Sequence, residues 1–103
     1  MHVHTSDMSR NIETIGDRIR LARTKLRTKA GLPVMPQRVI ADALGVSIPS
    51  VSEWERNTFQ PGREKMQPLA DALCVNVLWL EFGIGMPERV ATNIIGVATI
   101  TEQ

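Results

Sequence analysis

An all-α fold of five helices, followed by a short tail, is predicted for this chain. Apolar residues recur at helical spacing from Ile15 to Phe82, and glycine or proline interrupts that spacing often enough to mark short helices. The chain has 103 residues, of which 43% are hydrophobic, as is usual for one small globular domain. We therefore expect a single helical core.

The first helix is predicted to begin at Thr14. Thr14 and Asp17 have the spacing of a capping box, in which the side chain before a helix accepts a hydrogen bond from an amide of its first turn. The apolar face of this helix consists of Ile15, Ile19, Ala22 and Leu26. The segment Gly31–Pro36 contains one glycine and two prolines, so we expect a loop there.

Two short helices joined by a glycine turn are predicted between Gln37 and Arg56. Gly45 can adopt the positive φ that ends one helix, Ser47 can cap the next, and Pro49 falls in a first turn, where its missing donor is not needed. The apolar residues whose spacing would place them on the buried faces of these two helices are Ile40, Ala41, Leu44, Val51 and Trp54. This arrangement is a helix-turn-helix.

Two further helices are predicted after a loop in which Phe59 is the apolar anchor. The buried stripe of the fourth is Met66, Leu69, Ala70 and Leu73. Pro68 would cost about 3 kcal/mol inside a regular helix, so either the helix kinks there or its regular part begins near Met66. Asn76 is expected to cap a fifth helix that ends at Gly83.

The composition limits the compartment and the chemistry. With only four aromatic residues, Trp54 and Trp79 are expected to be the large core residues, and the single cysteine, Cys74, to pack as a small apolar residue. A lone cysteine, the lack of a secretion signal and the lack of a long apolar run predict a cytoplasmic protein that does not associate with membranes. His2 and His4 have no further ligands nearby, so we expect no metal and no small-molecule cofactor.

Positive charge is local, although the net charge is only +1. No acidic residue lies between Asp17 and Asp42, and that stretch contains Arg18, Arg20, Arg23, Lys25, Arg27, Lys29 and Arg38. A basic stripe beside a helix-turn-helix suggests a polyanionic partner, and the alternative is an ordinary solvated helix face.

The chain is predicted to have three parts: a flexible arm over residues 1–13, the helical domain over 14–85, and a linker and tail over 86–103. The tail is rich in β-branched residues, a composition typical of strands. Pairing of this strand between two copies would satisfy its backbone and give a homodimer. The alternatives are a disordered end or the first strand of a missing C-terminal domain.

From about Ile15 to Gly85 the chain resembles the lambda repressor/Cro-like family of helix-turn-helix DNA-binding domains. The motifs that carry the resemblance are Gln37-x-x-Ile40-Ala41-x-x-Leu44-Gly45-Val46-Ser47, Val51-Ser52-x-Trp54-Glu55-Arg56, Pro61, Leu69-Ala70-x-Ala72-Leu73 and Trp79-Leu80. The resemblance implies a compact five-helix domain whose third helix enters the major groove of DNA.

The resemblance also implies a set of DNA-binding residues: Gln37, Ser47, Ile48, Pro49, Ser50, Ser52, Glu53, Arg56, Asn57 and Thr58. Gln37 would bond a phosphate or brace the third helix. The residues from Ile48 to Glu53 that face outward would approach base edges, and Arg56–Thr58 would hold phosphates. Alternatively, Gln37 and Ser47 are caps alone, Ser50 and Ser52 are ordinary exposed serines, and Glu55 forms a surface pair with Arg56.

The function implied is a sequence-specific transcriptional regulator that binds double-stranded DNA, most simply a phage or prophage repressor bound to a palindromic operator as a dimer. One alternative is an antitoxin or another protein-interaction module of the same fold. Another is the DNA-binding fragment of a longer self-cleaving repressor. The chain itself is not expected to be an enzyme, because no serine or lysine follows Gly85 to serve such a peptidase.

Overall fold

The computed structural model describes residues 14–89, and α-helices are the regular elements of that part of the chain. They are α1 (Ile15–Arg23), α2 (Lys25–Lys29), α3 (Gln37–Leu44), α4 (Ile48–Glu55), α5 (Arg63–Leu73) and α6 (Val77–Phe82). The all-α fold class is confirmed. The predicted arm, 1–13, and the strand-like part of the tail, 90–103, lie outside the described residues.

The predicted first helix is divided in two at Thr24. Thr24 departs from helical geometry, with φ −116° and ψ −84°, and its hydroxyl donates to the carbonyl oxygen of Arg20 at 2.7 Å. A threonine hydroxyl that bonds back to the carbonyl four residues earlier tends to bend a helix. At the start of α1 the predicted cap is confirmed, since Thr14 Oγ1 accepts from the amide of Asp17 at 3.1 Å.

The connection between α3 and α4 has the predicted helix-turn-helix geometry. Gly45 is left-handed, with φ 69° and ψ 34°, and the next amide, that of Val46, donates to the carbonyl of Ala41 at 2.9 Å. Ser47 Oγ accepts from the amide of Ser50 at 3.2 Å and so caps α4, with Pro49 in the first turn. Ala41 is buried where α3 and α4 pack together.

Helix α5 includes Pro68 and begins at Arg63, so the interpretation that its regular part begins near Met66 is wrong. Proline removes the amide that would bond the carbonyl of Glu64, four residues earlier. Both Pro68 and Glu64 are exposed, on the side of α5 that faces solvent. Water can therefore satisfy the orphaned carbonyl, which lowers the cost of this proline.

Helix α6 is held at both ends. Asn76 Oδ1 accepts from the amide of Leu78 at 2.9 Å, which confirms the predicted cap, and Gly83 ends the helix with φ 74°. The buried guanidinium of Arg18 in α1 donates to the carbonyls of Leu80, at 2.8 Å, and Glu81, at 3.1 Å. Arginine is thus one of the partners for the carbonyls that a helix C-terminus leaves unbonded.

The core is mostly aliphatic around two tryptophans, as predicted. Its buried apolar residues are Ile15, Ile19, Ala22, Met35, Ile40, Ala41, Val51, Trp54, Met66, Leu69, Ala70, Leu73, Val75, Trp79 and Leu80. Two predictions about burial are wrong. Cys74 is exposed, because it takes the left-handed position that ends α5, with φ 60°, and Phe59 is 61% exposed, because Pro61 is the buried residue of that loop.

The chain folds back on the domain after α6. The amide of Asn76 donates to the carbonyl of Pro87 at 2.9 Å, and Arg89 Nε donates to the carbonyl of Val75 at 3.1 Å. Arg89 also pairs with Asp71 at 2.5 Å, a bond that lowers the pKa of the Asp71 carboxyl. Residues 86–89, predicted as linker, therefore lie against the connection between α5 and α6.

Candidate nucleic-acid interface

Helix α4 has two faces of opposite character. Its buried residues are Val51, Trp54 and Glu55. Between them, Ser52 and Glu53 are partly exposed, and Ile48 and Pro49 at the start of the helix are exposed. Every residue predicted to contact DNA lies outside the buried core.

At the N-terminus of α4, Ser47 and Ser50 are bonded to each other. Besides the capping bond, their hydroxyl oxygens are 2.9 Å apart. Ser47 is exposed and Ser50 is half-buried. The capping role is therefore observed for Ser47, and each hydroxyl keeps further hydrogen-bonding capacity toward a ligand, because a serine oxygen has one donor and two acceptor positions.

At the C-terminal end of the same face, Arg56 Nη1 donates to Ser52 Oγ at 2.6 Å. The two residues are four apart and lie on one side of the helix. The contact places a guanidinium beside the serine that was predicted to approach a base. Arg56 is not paired with the neighbouring Glu55 as the surface-pair alternative expected, because the carboxylate of Glu55 points into the protein.

Asn57 connects the end of α4 to the start of α1. It has φ 62°, a left-handed conformation that asparagine tolerates better than most residues. Its Oδ1 accepts from the amide of Gly16 at 3.0 Å, and its Nδ2 donates to Thr14 Oγ1 at 3.0 Å. The Asn57 amide thus has partners inside the protein, while a phosphate contact by this residue stays a prediction.

The two remaining predicted residues flank this surface. Thr58 is exposed, and its backbone amide donates to the carbonyl of Glu53 at 3.0 Å, so its side chain is the part available to a partner. Gln37 is the first residue of α3 and is half-buried. Helix α3 packs against α4, and a bracing or phosphate-binding role for Gln37 stays a prediction.

Glu55 is the positioning residue that the sequence interpretation missed. Its side chain is only 4% exposed, and Arg23 of α1 bonds both carboxylate oxygens, at 2.6 and 2.9 Å. Arg23 also donates to the carbonyl of Met35 at 3.1 Å, and Arg20 donates to the carbonyl of Glu55 at 3.3 Å. A bidentate arginine and carboxylate pair fixes distance and angle together, so α4 is held at a defined orientation on α1.

The spacing of Glu55 could have revealed this pair. Glu55 is four residues after the buried Val51 and follows the buried Trp54, so it belongs to the inward face. A buried carboxylate requires a cationic partner, and the arginines of α1 are interspersed with the apolar residues predicted to face the core. The prediction of a surface pair with Arg56 considered only the polar character of Glu55 and not its position on the inward face of α4.

The comparisons with known proteins agree with this geometry. The helix-turn-helix family model matches residues 25–80, a span that runs from the start of α2 into α6 and includes α3, the turn and α4. The chain belongs to the helix-turn-helix family. That membership confirms the family resemblance inferred from the motifs between Gln37 and Leu80.

Two members of the family are similar over the same share of the chain. The HTH-type transcriptional regulator DicA of Escherichia coli (strain K12) is 37% identical over 70 residues, which make up 68% of this chain and 47% of DicA. The match therefore spans about half of that relative. The crystal structure of the P22 c2 repressor protein in complex with synthetic operator 9T in the presence of Tl⁺ is 31% identical, covers 68% of this chain and 96% of that chain, and has a TM-score of 0.56.

These helix-turn-helix relatives are a regulator and a repressor, which bears out the prediction that the chain is not an enzyme. Among residues 14–89, no helix is long and apolar enough to cross a membrane, and no group of histidine, cysteine and acidic side chains is arranged to hold a metal ion.

The basic stripe predicted on α1 and α2 is partly internal in this family member. Arg18 is buried at the end of α6, where desolvation lowers its pKa and the nearby charge of Asp17 opposes that effect. Arg23 is committed to Glu55. The exposed basic residues that remain from the stripe are Arg20, Lys25, Lys29 and Arg38. The external charge is therefore smaller than the sequence suggested.

Proposed function

We propose that this protein is a transcriptional regulator that binds double-stranded DNA sequence-specifically, and that the exposed face of α4 enters the major groove. The observation that carries the proposal is the division of α4 into a buried face, locked by Val51, Trp54 and Glu55, and a free face of short polar and aliphatic residues. A helix held rigidly on its domain with one face free has the shape that the major groove admits.

The chemistry of that face suits base edges. Ser52 can donate to or accept from several bases, Glu53 can accept from the amino group of cytosine, and Ile48 can contact a thymine methyl group. Ser50 and Pro49 lie on the first turn beside them. Together these side chains supply donor, acceptor and apolar contacts within two turns of helix.

The flanking residues suit phosphate contacts, which position a protein on DNA without reading sequence. Arg56 is exposed at the end of α4, and Thr58, two residues later, is exposed as well. Gln37 is the first residue of α3, and Ser47 is the N-cap of α4. Asn57 takes part mainly by holding this end of α4 against α1.

The finer proposal is a cytoplasmic repressor of the phage or prophage type that binds a palindromic operator as a homodimer, with residues 14–85 as the DNA-binding domain. The P22 c2 repressor supports the repressor assignment, because that relative is a repressor in complex with an operator. A dimer is supported by four exposed apolar side chains on and just after α6, those of Leu78, Phe82, Ile84 and Met86. Exposed apolar side chains that lie close together mark interaction sites.

Selection from a random duplex library tests the proposal. The purified full chain, without any partner protein, is incubated with the library, and the retained duplexes are sequenced. We expect a motif with two-fold symmetry whose half-sites lie about one helical turn, roughly 34 Å, apart. If no motif is enriched above the starting library, the sequence-specific function is wrong and a protein-interaction module of the same fold becomes the better assignment.

A further inference from the structure

A groove lies between helices α1 and α2 on one side and the C-terminal end of α5 on the other. It holds about 320 Å³ and is lined mainly by aliphatic side chains. Ala22, Leu26 and Ala30 form one wall, and Leu73 and Val75 form the other. The groove is on neither α3 nor α4, so the proposed contact with DNA does not account for it.

The chain leaves the described part of the structure at the rim of this groove. Pro87 and Glu88 line it. The bond from the amide of Asn76 to Pro87 and the bonds from Arg89 to Val75 and Asp71 hold the backbone there. The residues that follow Arg89 therefore start at the groove wall.

The sequence that follows matches the groove in polarity. Residues 90–103 contain Val90, Ile94, Ile95, Val97 and Ile100. Glu102 is the only charged residue of that segment, and the charged residues that line the groove are Arg27, Lys29 and Glu88, so that positive charge is in excess there. An apolar segment with an acidic end is thus complementary to an apolar groove with basic residues beside it.

The covalent connection at Arg89 keeps residues 90–103 close to the groove. The six residues from Val90 to Ile95 reach at most about 20 Å when extended, so they span the groove from its rim. A short tether raises the effective concentration of a segment to about the millimolar range, so even a weak contact is populated.

We propose that residues 90–103 dock into this groove of their own chain, with Ile94 and Ile95 as the anchoring side chains. Docking covers Leu26 and Ala30, and it brings the segment past Cys74, which also lines the groove. This interaction is independent of the proposed function, since none of its residues belongs to the candidate interface on α4.

Cys74 reports on the groove directly. It is the only cysteine of the sequence, and it is exposed in the described residues. The reaction rate of its thiol with a disulfide reagent, 5,5′-dithiobis(2-nitrobenzoate), is measured for the full chain and for a full-length Ile94→Ser, Ile95→Ser variant. Helical circular dichroism verifies that both proteins are folded.

We expect the double variant to react about tenfold faster than the parent, because a tethered contact that occupies the groove for about nine-tenths of the time leaves the thiol accessible for the remainder. The matched control is a full-length Thr92→Ser, Asn93→Ser variant, which changes the same segment without removing an apolar side chain and should react like the parent. Equal rates for the parent and the isoleucine variant overturn the proposal. A parent rate that falls as protein concentration rises also overturns it, because the occupant is then the segment of a second copy.

Discussion

Ser52 and Glu53 are adjacent on the exposed side of α4 and have no part in its core. We predict that Ser52→Ala and Glu53→Ala each alter discrimination at one base pair by about 1 to 3 kcal/mol while leaving the protein folded. The measurement is the sequence preference of each variant on a randomised operator library. Unchanged preferences in both variants would remove α4 from the groove.

Trp54 provides the contrast within the same helix. It is buried in the core, so Trp54→Ala should lower the free energy of unfolding by about 3 to 5 kcal/mol through lost contacts and a cavity. Chemical denaturation measures this loss. A variant that stays as stable as the parent would mean that Trp54 is not a core residue of the protein in solution.

Glu55 should behave as a buried ion-pair residue. Glu55→Ala leaves the guanidinium of Arg23 without its carboxylate, and breaking a buried pair from one side costs about 3 to 5 kcal/mol of stability. Glu53→Ala is the matched control, because it removes the same side chain two residues earlier from a partly exposed position outside the core, where the expected change is within about 0.5 kcal/mol. Equal losses in the two variants would contradict the assigned role of Glu55.

At the scale of elements, the close approach of α1 to the end of α4 depends on Gly16. A Cβ at this position would lie 2.5 Å from the carbonyl oxygen of Glu55 and 2.6 Å from that of Trp54. Alanine is the better helix former, yet we expect Gly16→Ala to destabilise the protein by about 1 to 3 kcal/mol, because the two helices must separate. DNA affinity should fall with it.

Gly62→Ala is the control for that substitution. The three atoms nearest to its Cβ would all belong to the flexible carboxylate of Glu64, which can move aside. Thermal unfolding of the two variants should therefore differ, with the larger loss at Gly16. If Gly16→Ala raises the melting temperature, helix propensity outweighs the contact and the packing of α1 on α4 is looser than described.

We propose that helix α6 holds the dimer together, in place of the strand pairing within residues 86–103 that was expected from the sequence. Leu78 and Phe82 are 50% and 53% exposed and lie one helical turn apart. We expect the full-length Leu78→Ser, Phe82→Ser variant to sediment as a monomer at concentrations where the parent is a dimer. Val34→Ser, which removes a similarly exposed apolar side chain from the loop before α3, should not change the sedimentation.

Local sequence patterns predicted the elements well, because caps, glycine turns and apolar spacing act within a few residues. Thr14, Gly45, Ser47 and Asn76 each occupy the predicted position. The break at Thr24 was missed, since the amphipathic pattern continues through it to Leu26 and the deviation depends on one side-chain bond.

Contacts between distant parts of the chain were harder to predict. The pairing of Arg23 with Glu55 and of Arg18 with the end of α6 removes two arginines from the surface. A count of charges along the sequence treats all arginines of a helix alike. In the folded protein, some of them are buried in ion pairs or hydrogen bonds and others are exposed to solvent. The candidate DNA-binding residues were predicted from the resemblance, and their places outside the core are compatible with that prediction.

For the whole molecule, we propose that one rigid helix face reads DNA while surface charge contributes to affinity. The net charge of +1 does not by itself favour a polyanion. Exposed Arg20, Lys25, Arg38 and Arg56 do provide positive charge at the surface of the domain. Affinity should therefore depend on salt, and the dependence should be similar for specific and non-specific duplexes if phosphate contacts are shared.

The most direct test measures the dissociation constant of the full chain for its selected duplex and for a scrambled duplex of equal composition, by fluorescence anisotropy between about 50 and 200 mM salt. We predict that both affinities fall with salt, with a slope of several units in log Kd against log salt, and that the selected duplex binds at least about a thousandfold more tightly. Equal dissociation constants for the two duplexes would rule out sequence-specific binding, and affinities that do not change with salt would rule out the contribution of phosphate contacts.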